Sequence, residues 1–306
     1  VGHSGIFVSE ACEYTNSFLE FHPLYSIILN VEEDHMDFFK DIEDIKHSFH
    51  LFASQTAEDG LSIINGDMPH TADILSGLSQ KAITFGLGAD NDYTAADISY
   101  DHEGNGSYTL VIDGEKVGQV HLKVKGSHNI MNSLSAIACA RAIGLPLEQI
   151  LTGLLSFTGT HRRFEYKGKI GEVIVIDDYA HHPTEILATL EAAREYPHDE
   201  LWVVFQPHTY TRTKAFLPQL AEFLSKADHV VLADIFAARE PDTGLVSSQD
   251  IFRLLQQAGT DVHYFPTFAE IEDFLLSNIS GHDLLITMGA GNVVNIGEEL
   301  LASAKK

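Results

Sequence analysis

The sequence predicts an α/β protein in two units: an α/β unit with a small antiparallel element over residues 1–163, then a Rossmann-like open α/β unit over residues 164–306. Three observations support this. From Glu172 to Asn292, an apolar strand-like run, a polar loop and a helix recur four times. Between Asp92 and Val124 the pattern changes to apolar–polar alternation, punctuated by Gly104–Gly106 and Asp113-Gly114, as in antiparallel hairpins. Between these regions lies KGSHNIMN, Lys125–Asn132, where a glycine-bearing loop leads into a helix.

In chain order, Gly5–Glu10 reads as a short strand delivering Glu10 and Glu13, and Tyr25–Val31 as a second delivering Glu32, Glu33, Asp34, His35 and Asp37. The spacing between these runs leaves room for a crossover. Asp41–Phe52 is helical by its apolar period, and Leu61–Asn65 and Lys81–Leu87 are strands. Ser127 is placed to cap the helix that follows, with Asn129 and Asn132 one turn apart; Gly144 and Pro146 end it. Leu145–Leu155 is a short helix, and Phe157–Glu165 is a linker carrying Arg162 and Arg163. Beyond it, strands at Glu172–Asp177, Leu201–Gln206, His229–Asp234 and Asp283–Met288 each end in a polar loop. Pro183 sits in the first turn of one intervening helix.

Of 306 residues, 44% are hydrophobic, enough for substantial cores, and the formal charge of −25 comes from 44 acidic against 19 basic residues. That balance argues against a nonspecific nucleic-acid binder or a binder of anionic membranes. It is compatible with a small phosphate-bearing ligand held by a few arginines, backbone N–H groups and a metal. Cys12 and Cys139 make no disulfide scaffold, which points to a reducing compartment, and no apolar run reaches membrane-spanning length. The absence of an initiator Met before an immediate strand-like run is what a fragment would show.

Several residue groups support both a chemical and a structural reading. Lys125–Asn132 is either a capped structural helix or a set of amide and imidazole groups reading a nucleobase edge. Glu10 and His35 are either surface and turn residues or metal ligands, with magnesium suited to the carboxylate oxygen. Zinc is disfavoured because neither CxxC nor HExxH is present. Arg162 and Arg163 are either a solvated salt-bridge site or a clamp on a transferring phosphate.

Taken together, EACEY (Glu10–Tyr14), NVEEDHMD (Asn30–Asp37), GSHNIMN (Gly126–Asn132), GTHRRFE (Gly159–Glu165), DDYAHHPTE (Asp177–Glu185), QPHTYTRT (Gln206–Thr213) and MGAGNV (Met288–Val293) resemble the Mur ligase family, in its alanine-adding branch. The resemblance spans nearly the whole chain. It implies a partial central ATPase-type, ATP-binding domain over residues 1–163 and a C-terminal Rossmann-like amino-acid-binding domain over residues 164–306. It also implies a cytoplasmic ATP- and Mg2+-dependent ligase of peptidoglycan precursor synthesis, acting on UDP-N-acetylmuramate and L-alanine through an acyl phosphate, with neither nucleic acid nor membrane insertion involved. By motif, Glu10 and His35 belong to the metal site. His128, Asn129 and Asn132 are the nucleotide contacts, Arg163 contacts phosphate, and Asp178 meets ATP. His181, His182, His208, Tyr210 and Arg212 face the amino acid, with Arg163, His208 and Arg212 closest to the chemistry.

Two departures stand out. No GxxxxGK[ST] phosphate loop is present, and Gly159–Arg162 lacks the lysine and spacing to replace it; the chain is therefore expected to be a truncated ligase, inactive alone. His50 occupies the spacing at which some relatives carry a carbamylated lysine. Two other activities remain open at this level: a ligase that recycles a preformed murein peptide, and a non-catalytic nucleotide-binding module.

Overall fold

The structure, a computed structural model, describes residues 3–36 and 38–304; Asp37, of the acidic cluster after Val31, lies outside them. Its contacts divide the chain into two compact units. The first contains the residues up to Asp97, Tyr108–Val120 and Met131–Thr152; the second contains Ile98–Ser107, His121–Ile130 and the residues from Gly153 on. The corner at Gly126 falls in the second unit. Gly126 has φ +85°, and a Cβ there would lie 3.2 Å from the Ala192 Cβ. The neighbouring Lys125 ammonium sits 5.3 Å from the Tyr196 ring centre.

The first sheet orders its strands β1 (Tyr25–Ile28), β2 (Leu61–Asn65), β3 (Lys81–Gly86), β4 (Tyr93–Tyr100), β5 (Asn105–Ile112) and β6 (Glu115–Lys125). β1 to β4 pair in parallel, and β4 to β6 continue as hairpins. The two-residue turn Asp113-Gly114 has φ +50° and +81°, the left-handed pair that matches strand twist. Helices α1 (Ile42–Ser54) and α2 (Thr71–Leu75) precede α3 (Ser127–Ala142) and α4 (Leu147–Ser156). The α1 cap is Asp41, which accepts from the Asp44 N–H at 3.1 Å, and the buried Ile45 and Phe52 face Phe18, Ile28, Ile64 and Ile74. Ser127 is the first residue of α3 rather than its flanking cap; the Asn129 N–H closes that turn on the Gly126 carbonyl at 3.1 Å.

The second sheet contains β7 (Glu165–Ile170), β8 (Val173–Asp178), β9 (Leu201–Phe205), β10 (His229–Leu232), β11 (Asp261–Tyr264) and β12 (Leu284–Met288), in the order β11-β10-β9-β12-β8-β7. All neighbours are parallel except β7, which runs antiparallel to β8. Its helices are α5 (Pro183–Arg194), α6 (Tyr210–Ala215), α7 (Leu217–Leu224), α8 (Ser248–Gln257), α9 (Phe268–Asn278) and α10 (Val294–Ser303). Alternation along the central strands feeds two cores. Ile176, Val203, Phe205, Ile286 and Met288 meet α5, α7 and α8 through Ile186, Leu190, Leu220, Leu224, Ile251 and Leu255. Val175, Trp202, Val204 and Leu285 meet α9 and α10 through Ile271, Leu275, Ile296 and Leu300. Burial on both faces explains why these strands read as continuous apolar runs.

Three sequence expectations are corrected. Gly5–Glu10 is extended but not a strand: it has no partner in the first sheet, and Phe7 and Val8 are 86% and 88% exposed. A short apolar run alone does not make a strand without a neighbour to take its backbone hydrogen bonds. β7 was not foreseen, because Glu165–Ile170 mixes charge and glycine as a one-sided edge strand does. Tyr210–Ala215, expected as loop, is helix α6, capped by the Thr209 side chain. Among the described residues, no helix is long and apolar enough to cross a membrane.

Candidate active site

The parallel strands of the second sheet end on one edge, so the loops after β8, β9, β10 and β12 converge there. At the end of β8, successive side chains point to opposite faces. Asp177 is fully buried, accepting from Thr287 Oγ1 at 2.7 Å and from Arg162 Nε at 3.0 Å. Arg162 also donates Nη2 to the Gly289 carbonyl at 2.7 Å and lies 4.7 Å from the Tyr179 ring centre. Burial still pushes the Asp177 carboxyl above its ordinary range, against the pull of Thr287 and Arg162. Asp178 accepts from the N–H groups of Phe164 and Ala180, both at 2.8 Å; burial raises its pKa to about 6 although those donors and Arg163 oppose it.

Arg163 is turned outward, with Nη1 donating to Glu185 Oε1 at 3.2 Å. The two neighbouring arginines therefore divide their roles: Arg162 braces the strand ends, and Arg163 presents an accessible guanidinium. Glu185 occupies the third position of α5 and accepts from the His181 and His182 N–H groups at 3.1 and 3.3 Å, while the His182 ring caps the same turn. Burial works to raise the Glu185 carboxyl, but His181, its N–H and Arg163 together hold it below the ordinary carboxylate range. His128, at the start of α3, is held below the usual histidine range by burial and by the charge of Arg163. Asn129 donates Nδ2 to the Lys125 carbonyl at 2.7 Å and lies 3.1 Å from His128 Nε2, so local capping is one of its roles.

His181 and His208 bring their ring centres within 5.4 Å, and His208 stacks on Phe236 at 5.7 Å. Arg212 Nη1 donates to His208 Nδ1 at 3.2 Å. Because arginine only donates, the neutral His208 ring carries its proton on Nε2. His181 Nδ1 faces the Tyr179 carbonyl at 2.9 Å and is its donor. Burial, His181 and Arg212 push the His208 pKa down to about 4. Tyr210 begins α6, two residues before the half-buried Arg212. The glycines of the β12 loop reflect close packing rather than a dinucleotide fingerprint. A Cβ on Gly289 would lie 2.6 Å from the Gln206 carbonyl, and one on Gly291 would lie 2.8 Å from the Phe236 ring.

Asp178 and His208 shift in opposite directions, which predicts a compensated acid profile. The native state keeps a proton on Asp178 up to about pH 6, so that group's stabilisation is lost as pH rises from the ordinary aspartate value to 6. His208 resists protonation down to about pH 4, so its contribution is lost as pH falls from the ordinary histidine value to 4. Denaturant titrations of His208→Gln between pH 4 and 6 are expected to show stability falling with rising pH more steeply than in the unsubstituted protein. Asp178→Asn is expected to tilt the profile the other way, and parallel profiles for all three proteins would refute the two shifts.

In the first unit, Glu10 is exposed, and His35, with φ +54°, engages Glu13 at 3.4 Å and Asp34 at 3.9 Å. Glu13 is held low chiefly by its bond to His35. No cluster of three ligating side chains forms among the described residues, so Glu10 and His35 do not make a closed metal site by themselves. Asn132 lies on α3, its carbonyl accepting from Ser135 Oγ at 2.7 Å. Two surface concavities of about 510 and 350 Å³ lie beside β11 and at the amino ends of the strands, lined by other residues. The convergent chemistry at the carboxyl edge is the stronger guide.

Sequence reasoning did not single out Asp177, Glu185, Gln206, Phe236 or Glu240. Only Glu185 had a local signal, as a residue three positions after a cap; the others act through tertiary contacts.

A family model for the Mur ligase middle domain matches residues 3–140, and one described as Mur ligase, glutamate ligase domain, matches residues 162–291. The chain is 57% identical over 301 residues to the UDP-N-acetylmuramate–L-alanine ligase of Agathobacter rectalis, covering 98% of this chain and 66% of that protein. It is 52% identical over 302 residues to the ligase of the same name from Lachnospira eligens, with coverages of 98% and 66%. The structure of UDP-N-acetylmuramate-alanine ligase MurC from Thermotoga maritima is similar with a TM-score of 0.77 at 26% identity, covering 95% of this chain and 61% of that one. The chain thus spans about two thirds of the length of the curated relatives it matches. With both family domains in sequence along it, the chain belongs to the Mur ligase family.

Proposed function

We propose that the protein takes part in ATP-dependent amide formation between L-alanine and the carboxylate of UDP-N-acetylmuramate, in the cytoplasm, during peptidoglycan precursor synthesis. The observation that carries this reading is the Arg212–His208–His181 group at the carboxyl edge of the second sheet, in a chain so similar to ligases of that name. Arg212 offers a donor fork suited to the alanine carboxylate, with Tyr210 and His182 as further contacts to the amino acid. A neutral His208 beside it can accept a proton from the incoming ammonium only weakly, so its main service is orientation. Arg163 stabilises charge on a phosphoryl oxygen. His128, Asn129, Asn132 and Asp178 serve as nucleotide contacts.

The carboxylate accepts the terminal phosphoryl group of ATP, releasing ADP, and the amine then displaces phosphate to form the amide. Glu10 and His35 would hold Mg2+, which when bound neutralises phosphate charge.

The test is product analysis with the protein as its source gene encodes it, given ATP, Mg2+, UDP-N-acetylmuramate and L-alanine. Alanine-dependent amide product with stoichiometric phosphate is expected. Product with a preformed murein peptide but not with alanine would favour a recycling ligase; nucleotide binding without product would leave a binding module.

Asn129→Ala separates nucleotide contact from capping. Loss of a buried hydrogen-bonding partner costs about 1–3 kcal/mol, roughly 5- to 150-fold in ATP affinity. Calorimetric titration should show that loss with alanine affinity at saturating ATP unchanged. Unchanged ATP affinity with a lowered Tm would leave the Lys125 contact as its whole role.

A further inference from the structure

The loop after β10 is bound to the loop that carries His208 and Arg212. The Thr209 N–H donates to the Phe236 carbonyl at 2.9 Å, and the Phe236 N–H donates to the Pro207 carbonyl at 2.8 Å. Each loop holds one non-glycine residue in the left-handed region, Thr209 at φ +63° and Ala238 at φ +52°. Such conformations persist where the surroundings over-determine them. The strongest constraint comes from Glu240. One of its oxygens, Oε2, accepts from the Tyr210 N–H at 2.7 Å and from the Thr211 N–H at 2.9 Å, while Oε1 takes the Thr211 hydroxyl. These are the first amides of α6, the turn that aims Arg212 at His208.

We propose that Glu240 is a positioning residue: it fixes the start of α6 so that Arg212 and His208 hold the geometry needed for the carboxylate of the incoming amino acid. This rests on the proposed ligase function. Glu240 reaches the site through the backbone of Tyr210 and Thr211 and does not touch substrate. Both backbone donors converge on a single oxygen, so a glutamine carbonyl can replace it while the charge is removed. Alanine supplies no acceptor, leaving both amides to solvent and α6 free to shift; misplacing a binding arm by about 1 Å can cost on the order of 100-fold.

The experiment compares Glu240→Ala and Glu240→Gln in the protein as its gene encodes it. Glu240→Ala is expected to raise the KM for L-alanine at least about tenfold, with the KM for ATP within about twofold. Glu240→Gln is expected to stay near the unsubstituted values. An unchanged alanine KM in Glu240→Ala, or equal impairment in both variants, would overturn the proposal. Hydrogen exchange at the Tyr210 and Thr211 amides supplies a readout that does not need turnover. Protection is expected in the unsubstituted protein and in Glu240→Gln; rapid exchange in the unsubstituted protein would also overturn it, even if Glu240→Ala does not fold. Absence of any alanine-dependent product from the unsubstituted protein would refute the ligase reading, while exchange would still decide whether Glu240 fixes the loop.

Discussion

Arg212→Ala is expected to raise the KM for L-alanine roughly 10- to 150-fold, corresponding to about 1.5–3 kcal/mol for a hydrogen bond to a charged group. The KM for ATP should change far less. L-Alanine offers little apolar surface, so its carboxylate must supply much of the recognition, and a planar donor fork meets it through two parallel bonds. Arg212→Lys keeps the charge but loses the fork, and is expected to fall between the two. The structure adds an independent check. Arg212 is one of the charges that, after burial and His181, hold His208 down at about 4, so its removal should move the His208 titration upward. Steady-state kinetics with both substrates varied, together with an NMR titration of the His208 ring, test the assignment. An equal loss on the ATP side, or a His208 titration that does not move, would refute it.

Arg162→Ala is expected to cost stability rather than substrate affinity. The substitution leaves the fully buried Asp177 carboxylate with the Thr287 hydroxyl as its side-chain donor and takes a donor from the Gly289 carbonyl. Removing one partner of a buried ion pair costs about 3–5 kcal/mol. The Arg162 side chain is 25% exposed, which places this case near the lower end, about 3 kcal/mol. For a domain of this size that is a fall in Tm of roughly 6–12 °C. Burial already raises the Asp177 carboxyl above its ordinary range with Arg162 present, so the loss should be largest near neutral pH and shrink in acid as Asp177 takes up a proton. Asp177→Asn in the Arg162→Ala background should recover part of the stability, because it removes the uncompensated charge. Thermal unfolding of the two single variants and the double variant at pH 5 and pH 8 closes the cycle. A fall below about 1 kcal/mol in Arg162→Ala at pH 8 would show that this pair does not brace the strand ends.

The sequence by itself determined the α/β class, the repeating order of the second unit and most element positions. Leu61–Asn65 is a strand at those bounds, and the runs leading to Asp178, Gln206, Asp234 and Gly289 are strands within one or two residues. These features are local: apolar runs buried on both faces, Pro183 in a first helical turn, and Asp41 before an apolar period. The motifs holding His181, His208 and Arg212 were legible for the same reason, since each directly follows a recognisable strand. Tertiary structure decided what depends on a partner distant in sequence. Gly5–Glu10 has a strand-like apolar run but no strand beside it, whereas Glu165–Ile170 has a weak pattern and becomes β7 because β8 supplies its bonds. β12 lies between β9 and β8, which places the Gly289–Asn292 loop against Gln206, some 86 residues earlier. Arg162 and Arg163 are alike in sequence, yet one is held by a buried carboxylate and the other faces outward. The low pKa of His208 and the hold of Glu240 on α6 likewise arise from burial and from hydrogen bonds between loops. A residue's charge state and the aim of its side chain are set by the groups that folding brings around it, and no local period in the sequence encodes those.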